Sequence, residues 1–268
     1  MATLAGSALA GPDTTVEPRG DAFFARMAIV MALTVVAGFS FQLAMGRSTF
    51  ASPLRVHIHA VLFMGWVAIF VLQSQFATRG PIALHRKLGW LAVGWMFAML
   101  TAAMVVIVAM ARNGTVPFFF TPQHFLIADP FTLLGFMGLT GAAVALRRDT
   151  DWHARLHVGG MAVLTGPAFG RLIPMPLLVP YAFEAAGVGS ALFLVAGMVR
   201  DKRRSGAVHP AWWIGMAVLV GTLVFARVLA NSPVGDAIYQ AAVAGYPGAD
   251  IPGLEYPAPP GTPLRTGQ

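Results

Sequence analysis

The sequence predicts an all-α fold, a polytopic membrane protein with seven transmembrane helices in one bundle. Of the 268 residues, 57% are hydrophobic and 11% are charged. That charged share is about half of the ~25% found in an average soluble domain. Apolar runs repeatedly exceed ~18 residues, the length that a membrane-spanning helix requires. The chain length suits one bundle rather than two domains.

The seven predicted spans occupy most of the chain, and the two ends differ from them in composition. We expect a disordered cytoplasmic tail over residues 1–22, a transmembrane domain over 23–231, and a mostly irregular Pro/Gly-rich extracytoplasmic tail over 232–268. Pro130 and Pro167 should kink the fourth and fifth helices, because proline removes a backbone hydrogen bond. The predicted spans are residues 23–45, 53–76, 85–111, 122–146, 152–173, 181–199 and 211–231.

Three of the spans begin with residues typical of helix starts. Ser52-Pro53 and Thr121-Pro122 each place a hydroxyl at the N-cap and a proline at the first helical position, where its missing N–H has no cost. Asp149 should cap the fifth span and place negative charge at the positive end of the helix dipole.

The distribution of basic residues predicts the orientation in the membrane. Twelve of the 18 Lys and Arg residues fall in the segments on the side of the N-terminus. Cytoplasmic loops carry the excess of Lys and Arg in membrane proteins. We therefore expect a bacterial inner (cytoplasmic) membrane protein with its N-terminus inside and its C-terminus outside. The net charge of +7 then reflects loop orientation, and it predicts the lipid bilayer rather than nucleic acid as the partner.

Several classes of chemistry are excluded by what the sequence lacks. There is no cysteine, which rules out disulfides, thiolate metal sites and cysteine nucleophiles. The sequence also contains no Gly-rich phosphate loop, no His-Glu-x-x-His zinc motif and no Gly-x-Ser-x-Gly nucleophile elbow.

The histidines form the candidate functional set, because they alternate between the two ends of the predicted bundle. Neutral imidazole is a common metal ligand and an axial ligand of haem iron. A bis-histidine haem needs one histidine from each of two facing helices at matching depth. On the outer side the pair is His59 and His124; on the inner side His85 pairs with His157, or with His153 one turn earlier. The outer histidines are His57, His59 and His124, and the inner ones are His85, His153, His157 and His209.

This layout resembles the two-haem b-type membrane cytochromes of the ascorbate-reducible kind, over roughly residues 53–173. The resemblance implies haem b at both levels, electron transfer across the membrane, a redox partner, and Arg86, Lys87 and Arg155 near the inner propionates. Local phrases instead resemble an uncharacterised family of bacterial multi-pass membrane proteins. These phrases are His59-Ala60-x-x-Phe63-x-x-Trp66, Leu84-His85-Arg86-Lys87-Leu88-Gly89-Trp90 and Asp151-Trp152-His153-Ala154-Arg155-Leu156.

His57 and His59 cannot both face the bundle interior, because two residues turn a helix by about 200°. His59 shares a helix face with aromatic residues that include Phe63, Trp66 and Phe70. A flat cofactor could lie against that face, and ordinary helix packing explains the same pattern. His153 and His157 are spaced i,i+4, so either could point inward.

Two other interpretations of the histidines stay open. Histidines within a turn of a helix end are often interfacial, with water as their partner, and His209 fits that role. Alternatively, His57, His59 and His124 could bind copper or zinc at the outer side.

A second candidate site consists of charged residues inside apolar spans near the outer side. Charges in such positions are costly unless they are paired. Arg171, Glu184 and Arg227, with Asp129 at similar depth, predict either an outward-facing pocket for a small anionic ligand or an ion-pair clamp between helices. The alternative function is therefore a cofactor-free transporter or sensor.

Overall fold

The computed structural model describes residues 21–259. Within that range the regular secondary structure is helical, and there is no β-strand. The all-α prediction is therefore confirmed. Nine α-helices and two short 3₁₀ helices follow one another in these residues. They are α1 (Ala22–Ala44), α2 (Leu54–Thr78), α3 (Ile82–Arg112), α4 (Pro122–Ala145), α5 (Thr150–Leu164), α6 (Gly166–Leu172), η1 (Met175–Leu178), α7 (Ala182–Ser205), α8 (Pro210–Ala230), α9 (Pro233–Val243) and η2 (Pro247–Asp250). Residues 1–20 of the tail predicted over 1–22, and residues 260–268, lie outside the described range, and α1 begins at Ala22.

Six of these helices are long and apolar enough to cross a membrane: α1, α2, α3, α4, α7 and α8. They correspond to six of the seven predicted spans, with ends within three residues except at the end of α7. The chain is thus a polytopic membrane protein. Below, the inner end of the bundle means the end where α1 begins, and the outer end is the opposite one.

The fifth predicted span is two helices, α5 and α6, that meet at Thr165. Pro167 has no N–H to continue the hydrogen-bond ladder, which explains why the helix breaks just before it. The Thr165 hydroxyl donates to the Ala162 carbonyl at 2.6 Å and lies 3.1 Å from the Ser190 hydroxyl of α7. A kink was predicted at Pro167, and the structure has a complete helix break there, whereas α4 continues as one helix through Pro130.

Two of the three predicted helix starts, at Asp149 and Thr121, lie at the predicted residues. Asp149 accepts hydrogen bonds from the backbone N–H groups of Asp151 and Trp152, as predicted. Thr121 is the N-cap of α4, but its hydroxyl makes no capping bond. At α2 the prediction is wrong: the helix begins one residue later, and the Ser52 hydroxyl donates to the Thr49 carbonyl.

Helix α4 lies at the centre of the bundle and packs against α3, α5 and α8. Small residues allow the closest approaches between helices, as is usual in membranes. An added Cβ at Gly160 would lie 2.7 Å from the Thr140 hydroxyl of α4, and one at Gly38 of α1 would lie 2.7 Å from the Ala168 carbonyl of α6. These contacts bring α5 and α6 into the middle of the protein, where they carry several candidate site residues.

The segment after α8 differs from the predicted irregular tail. Residues 233–250 form α9 and η2, which pack against the outer ends of α3, α4 and α8. Tyr239 is 1% exposed, and its hydroxyl donates to the carbonyls of Gly248 and Ile251, both at 3.0 Å. We call residues 233–259 the outer cap. Gly245, with a φ of 77°, turns the chain between α9 and η2.

Candidate functional site

Three inner histidines form a chain of ring contacts between α3 and α5. His85 lies in the first turn of α3, and its ring centroid is 6.1 Å from that of His153 in α5. His157, one turn further along α5, has its ring centroid 4.7 Å from that of His153. Both contacts are edge-to-face. The structure therefore brings His85 together with His153, and His157 contacts the cluster through His153.

Backbone carbonyls orient two of these imidazoles. His85 Nδ1 is 3.2 Å from the Gln73 carbonyl oxygen of α2, and His153 Nδ1 is 2.7 Å from the Ala143 carbonyl oxygen of α4. A carbonyl oxygen only accepts, so we infer that Nδ1 carries the hydrogen in both rings. Each Nε2 then keeps its lone pair. This is the usual arrangement of a metal-ligating histidine, whose other nitrogen donates to a carbonyl or carboxylate.

The inner cluster suits a group that needs two imidazoles rather than three or more ligands. No group of three or more His, Asp or Glu within residues 21–259 is placed to hold a metal ion. A metal ion lies about 2 Å from each ligating imidazole nitrogen, so two ligands of one ion must face each other closely. The 6.1 Å between the His85 and His153 centroids is compatible with that requirement. Two axial histidines are a known protein ligand set for haem iron.

The basic residues expected beside the inner site have different surroundings. Arg86 is exposed on α3 and remains available to an anionic group. Arg155 is buried, and its guanidinium donates to Asp201 at 2.7 Å and to Asp151 at 2.8 Å. Arg155 therefore holds helices together, and its charge is already neutralised by these two carboxylates.

Sequence reasoning missed the most extensively bonded buried carboxylate at the inner end. Asp201 of α7 is 2% exposed and accepts hydrogen bonds from Arg155, from Arg200 at 2.7 Å and from the Trp212 indole N–H at 2.8 Å. Arg200 also pairs with Asp21, the N-cap of α1. The available signal was an acidic residue inside the basic run Arg200-Asp201-Lys202-Arg203-Arg204. Asp201 connects α5, α7 and α8.

At the outer side His59 faces the interior, as its helix face predicted. Trp66 and Phe70 of the same face are buried, and the His59 ring stacks on Phe63 with centroids 4.2 Å apart. His59 Nδ1 is buried without a hydrogen-bond partner, and the charge of Arg171 acts on the ring. Buried polar atoms are normally hydrogen-bonded, so a buried nitrogen without a protein partner indicates a bound water or ligand.

His124 has other neighbours than His59. It is buried in the first turn of α4, and its ring centroid is 4.6 Å from that of Phe183 in α7. Its Nε2 is buried without a partner, and Glu184 and Arg227 are the charges that act on it. No ring contact within residues 21–259 joins His124 to His59 or His57, so the outer pair is less closely assembled than the inner one.

The outer charged residues divide into two groups instead of one pocket. The Arg227 Nε donates to Glu184 at 2.5 Å, and its Nη2 donates to the Pro180 carbonyl at 2.9 Å. Arg171 interacts electrostatically with Asp129 of α4, and its guanidinium lies 4.1 Å from the centre of the Phe39 ring. Within residues 21–259, Glu184 pairs with Arg227 and not with Arg171.

In the second of these groups Arg171 is only partly satisfied. Its Nη1 donates to the Pro167 carbonyl at 2.8 Å, while its Nε is buried without a partner. The Gln42 side-chain oxygen is likewise buried without a partner. The surroundings of His59 are therefore polar and incompletely hydrogen-bonded.

His209 is a structural residue that should make stability depend on pH. Its Nδ1 accepts a hydrogen bond from the Ala211 N–H and so caps α8, and its ring packs against Trp152. Burial lowers the pKa of His209, and the charge of Arg155 lowers it further against the opposing effects of Asp149, Asp151 and Asp201. The neutral form is therefore favoured on folding. This contribution to stability is present above the unfolded-state pKa of ~6.5 and is lost as pH falls through the lower folded-state pKa.

We expect His209→Asn to flatten part of the decrease in melting temperature between pH 7.5 and pH 5, because Asn caps a helix without titrating. Differential scanning fluorimetry of both proteins in one detergent measures this. An identical pH dependence in the two proteins would contradict the assignment. His57→Asn, which removes a histidine from the opposite end of the bundle, is the control.

No protein-family model, curated protein or solved structure matches this chain. The site must therefore be interpreted from its own geometry.

Proposed function

We propose that this chain is a b-type haem protein of the bacterial inner membrane that carries electrons between its two sides. The single observation that supports this is the inner pair of imidazoles, His85 and His153. Each has its Nδ1 within hydrogen-bond distance of a carbonyl of a neighbouring helix, and the two ring centroids are 6.1 Å apart. In this proposal α5 and α6 together make the seventh crossing, with the N-terminus inside and the C-terminus outside.

In the proposal His85 and His153 would hold the inner haem, with His157 as the alternative partner of His85. Haem, when bound, supplies a one-electron couple whose potential depends on its ligands and on burial. The protein's part is to hold the imidazoles, exclude water and balance charge. Arg86 and Lys87, both exposed at the start of α3, would pair with the propionates.

The outer side would hold the second haem between His59 and His124. Support for it is the orphaned ring nitrogen of each residue, His59 Nδ1 and His124 Nε2, since buried polar atoms are normally hydrogen-bonded. Arg171 and Arg227 would then lie near the anionic groups at that level. An outer redox partner completes the proposed electron path.

The test is the absorption spectrum of the detergent-solubilised protein after expression with excess haem. We expect a Soret band, and His85→Ala and His153→Ala should each remove about half of the bound haem, because a site held by two histidines fails without one of them. His59→Ala and His124→Ala should remove the other half. His157→Ala distinguishes the two candidate partners of His85. The inner haem should remain bound if His153 is the ligand, and it should be lost if His157 is.

His57→Ala is the matched control, since it removes a histidine with no ring contact in the described part of the chain and should leave the spectrum unchanged. A wild-type protein without a Soret band would overturn the proposal. The cofactor-free transporter or sensor would then be the remaining hypothesis, with Glu184→Gln as its test.

A further inference from the structure

A groove lies between α1 and α7 near the inner end of the bundle. Helix α1 packs against α2, α5 and α6, while α7 packs against α5, α6 and α8, which leaves the space between α1 and α7 open. Two adjoining cavities of about 640 and 530 Å³ occupy this space and share Ala196 and Arg200 in their walls. The groove opens on the outside of the bundle, where lipid surrounds the helices.

The part of the groove toward the membrane centre is apolar. Val30 of α1 is 50% exposed and Leu192 of α7 is 60% exposed, and both line the larger cavity with Met27 and Phe193. Exposed apolar side chains on a membrane-spanning helix face acyl chains. This part of the groove therefore suits a hydrocarbon chain lying along α1 and α7.

The part toward the inner end is strongly basic. Four guanidinium groups, those of Arg26, Arg200, Arg203 and Arg204, line the two cavities against the single carboxylate of Asp21. Asp21 pairs with Arg200 and Arg204. Arg26 and Arg203 are exposed and make no ion pair within residues 21–259. Net positive charge therefore remains at the mouth of the groove.

We propose that this groove binds an anionic phospholipid of the leaflet at the inner end of the bundle. The phosphate would lie between Arg26 and Arg203, whose planar forks match phosphate oxygens, and one acyl chain would follow Val30, Leu192 and Ala196. Basic pockets between membrane helices recognise anionic headgroups through this combination of charge and depth. A zwitterionic headgroup adds a cation that the arginines repel. Free phosphate has no acyl chain and so gains nothing from the apolar part of the groove.

The test is native mass spectrometry of the protein taken from nanodiscs of equal parts phosphatidylglycerol and phosphatidylcholine. We expect the wild type to retain phosphatidylglycerol selectively and not to lose it to excess inorganic phosphate. Arg26→Gln with Arg203→Gln should weaken retention about fivefold per arginine, ~30-fold for both. This variant leaves the pairs of Asp21 intact. Ala196→Trp, which fills the groove without changing charge, should also reduce retention.

Arg148→Gln is the control, because Arg148 is an exposed arginine at the same end of the bundle but outside the groove. Equal phosphatidylglycerol retention by the double variant and this control would overturn the proposal. So would retention unaffected by Ala196→Trp, or displacement by inorganic phosphate. A dimer of the chain that dissociates in Ala196→Trp would show a second copy in the groove instead, which also overturns it. None of these outcomes depends on haem.

Discussion

Asp201→Ala is expected to lower the free energy of unfolding by about 3–5 kcal/mol, the cost of removing one partner from a buried ion pair. Asp201 is 2% exposed and accepts hydrogen bonds from Arg155, Arg200 and Trp212. Its loss would leave the buried Arg155 guanidinium with Asp151 as its remaining carboxylate, and Asp151 has a side chain that is 74% exposed. The Trp212 indole N–H, fully buried, would lose its acceptor.

Thermal unfolding in detergent measures this effect, and a compensated variant separates charge from packing. Replacing both partners, Asp201→Leu with Arg155→Met, should recover much of the stability, because apolar residues of similar volume often replace a buried pair at little cost. Asp236→Ala is the control, since Asp236 is exposed in α9 and should cost less than about 1 kcal/mol. If Asp201→Ala is no more destabilising than Asp236→Ala, the network does not hold α5, α7 and α8 together.

Gly248→Ala is expected to detach the outer cap and to cost about 2–5 kcal/mol, through overpacking and the loss of a buried hydroxyl's partner. A Cβ at Gly248 would overlap the carbonyl oxygen of Ala111 at the end of α3. The neighbouring atoms are backbone, so no side chain can move aside. The Gly248 carbonyl, which accepts from the buried Tyr239 hydroxyl, would have to shift with it.

Hydrogen–deuterium exchange over residues 233–259, together with the melting temperature, measures the detachment. We expect faster exchange of that segment while α1 to α8 keep their protection. Gly141→Ala is the matched control, because a Cβ there meets nothing within 4 Å and alanine favours a helix. Unchanged exchange in Gly248→Ala would mean that the contact between Gly248 and α3 does not secure the cap.

Span positions could be predicted because the requirement is local. A helix in lipid needs a continuous apolar run, and each run is visible in the sequence wherever its neighbours lie. The prediction was less complete for residues 150–172, where Pro167 divides the run into α5 and α6, and for the outer cap. Helix α9 has only 11 residues, too few to cross a membrane, and its place depends on the contacts that Tyr239 and Gly248 make in the outer cap and at the end of α3.

Pairings of side chains could be predicted only as candidate sets. The sequence predicted that His85, His153 and His157 lie at the same end of the bundle. The i,i+4 spacing of His153 and His157 allowed either of them to point towards α3. The carbonyls of Gln73 and Ala143 orient the rings of His85 and His153. Every residue has a backbone carbonyl, so the sequence does not show which carbonyl will contact a given ring. For the same reason Arg227, and not Arg171, pairs with Glu184: the choice depends on how α6 and α8 pack against α7.

The sequence by itself determined that this chain is an all-α, multi-pass membrane protein with histidines and charges at both ends of its spans. Those features follow from composition and spacing, because water and lipid act on each segment separately. The tertiary structure decided which of these groups meet. Arg155 is held by Asp201, Arg171 interacts with Asp129, and His85 contacts His153. Each of these contacts joins two different helices and depends on how the helices pack.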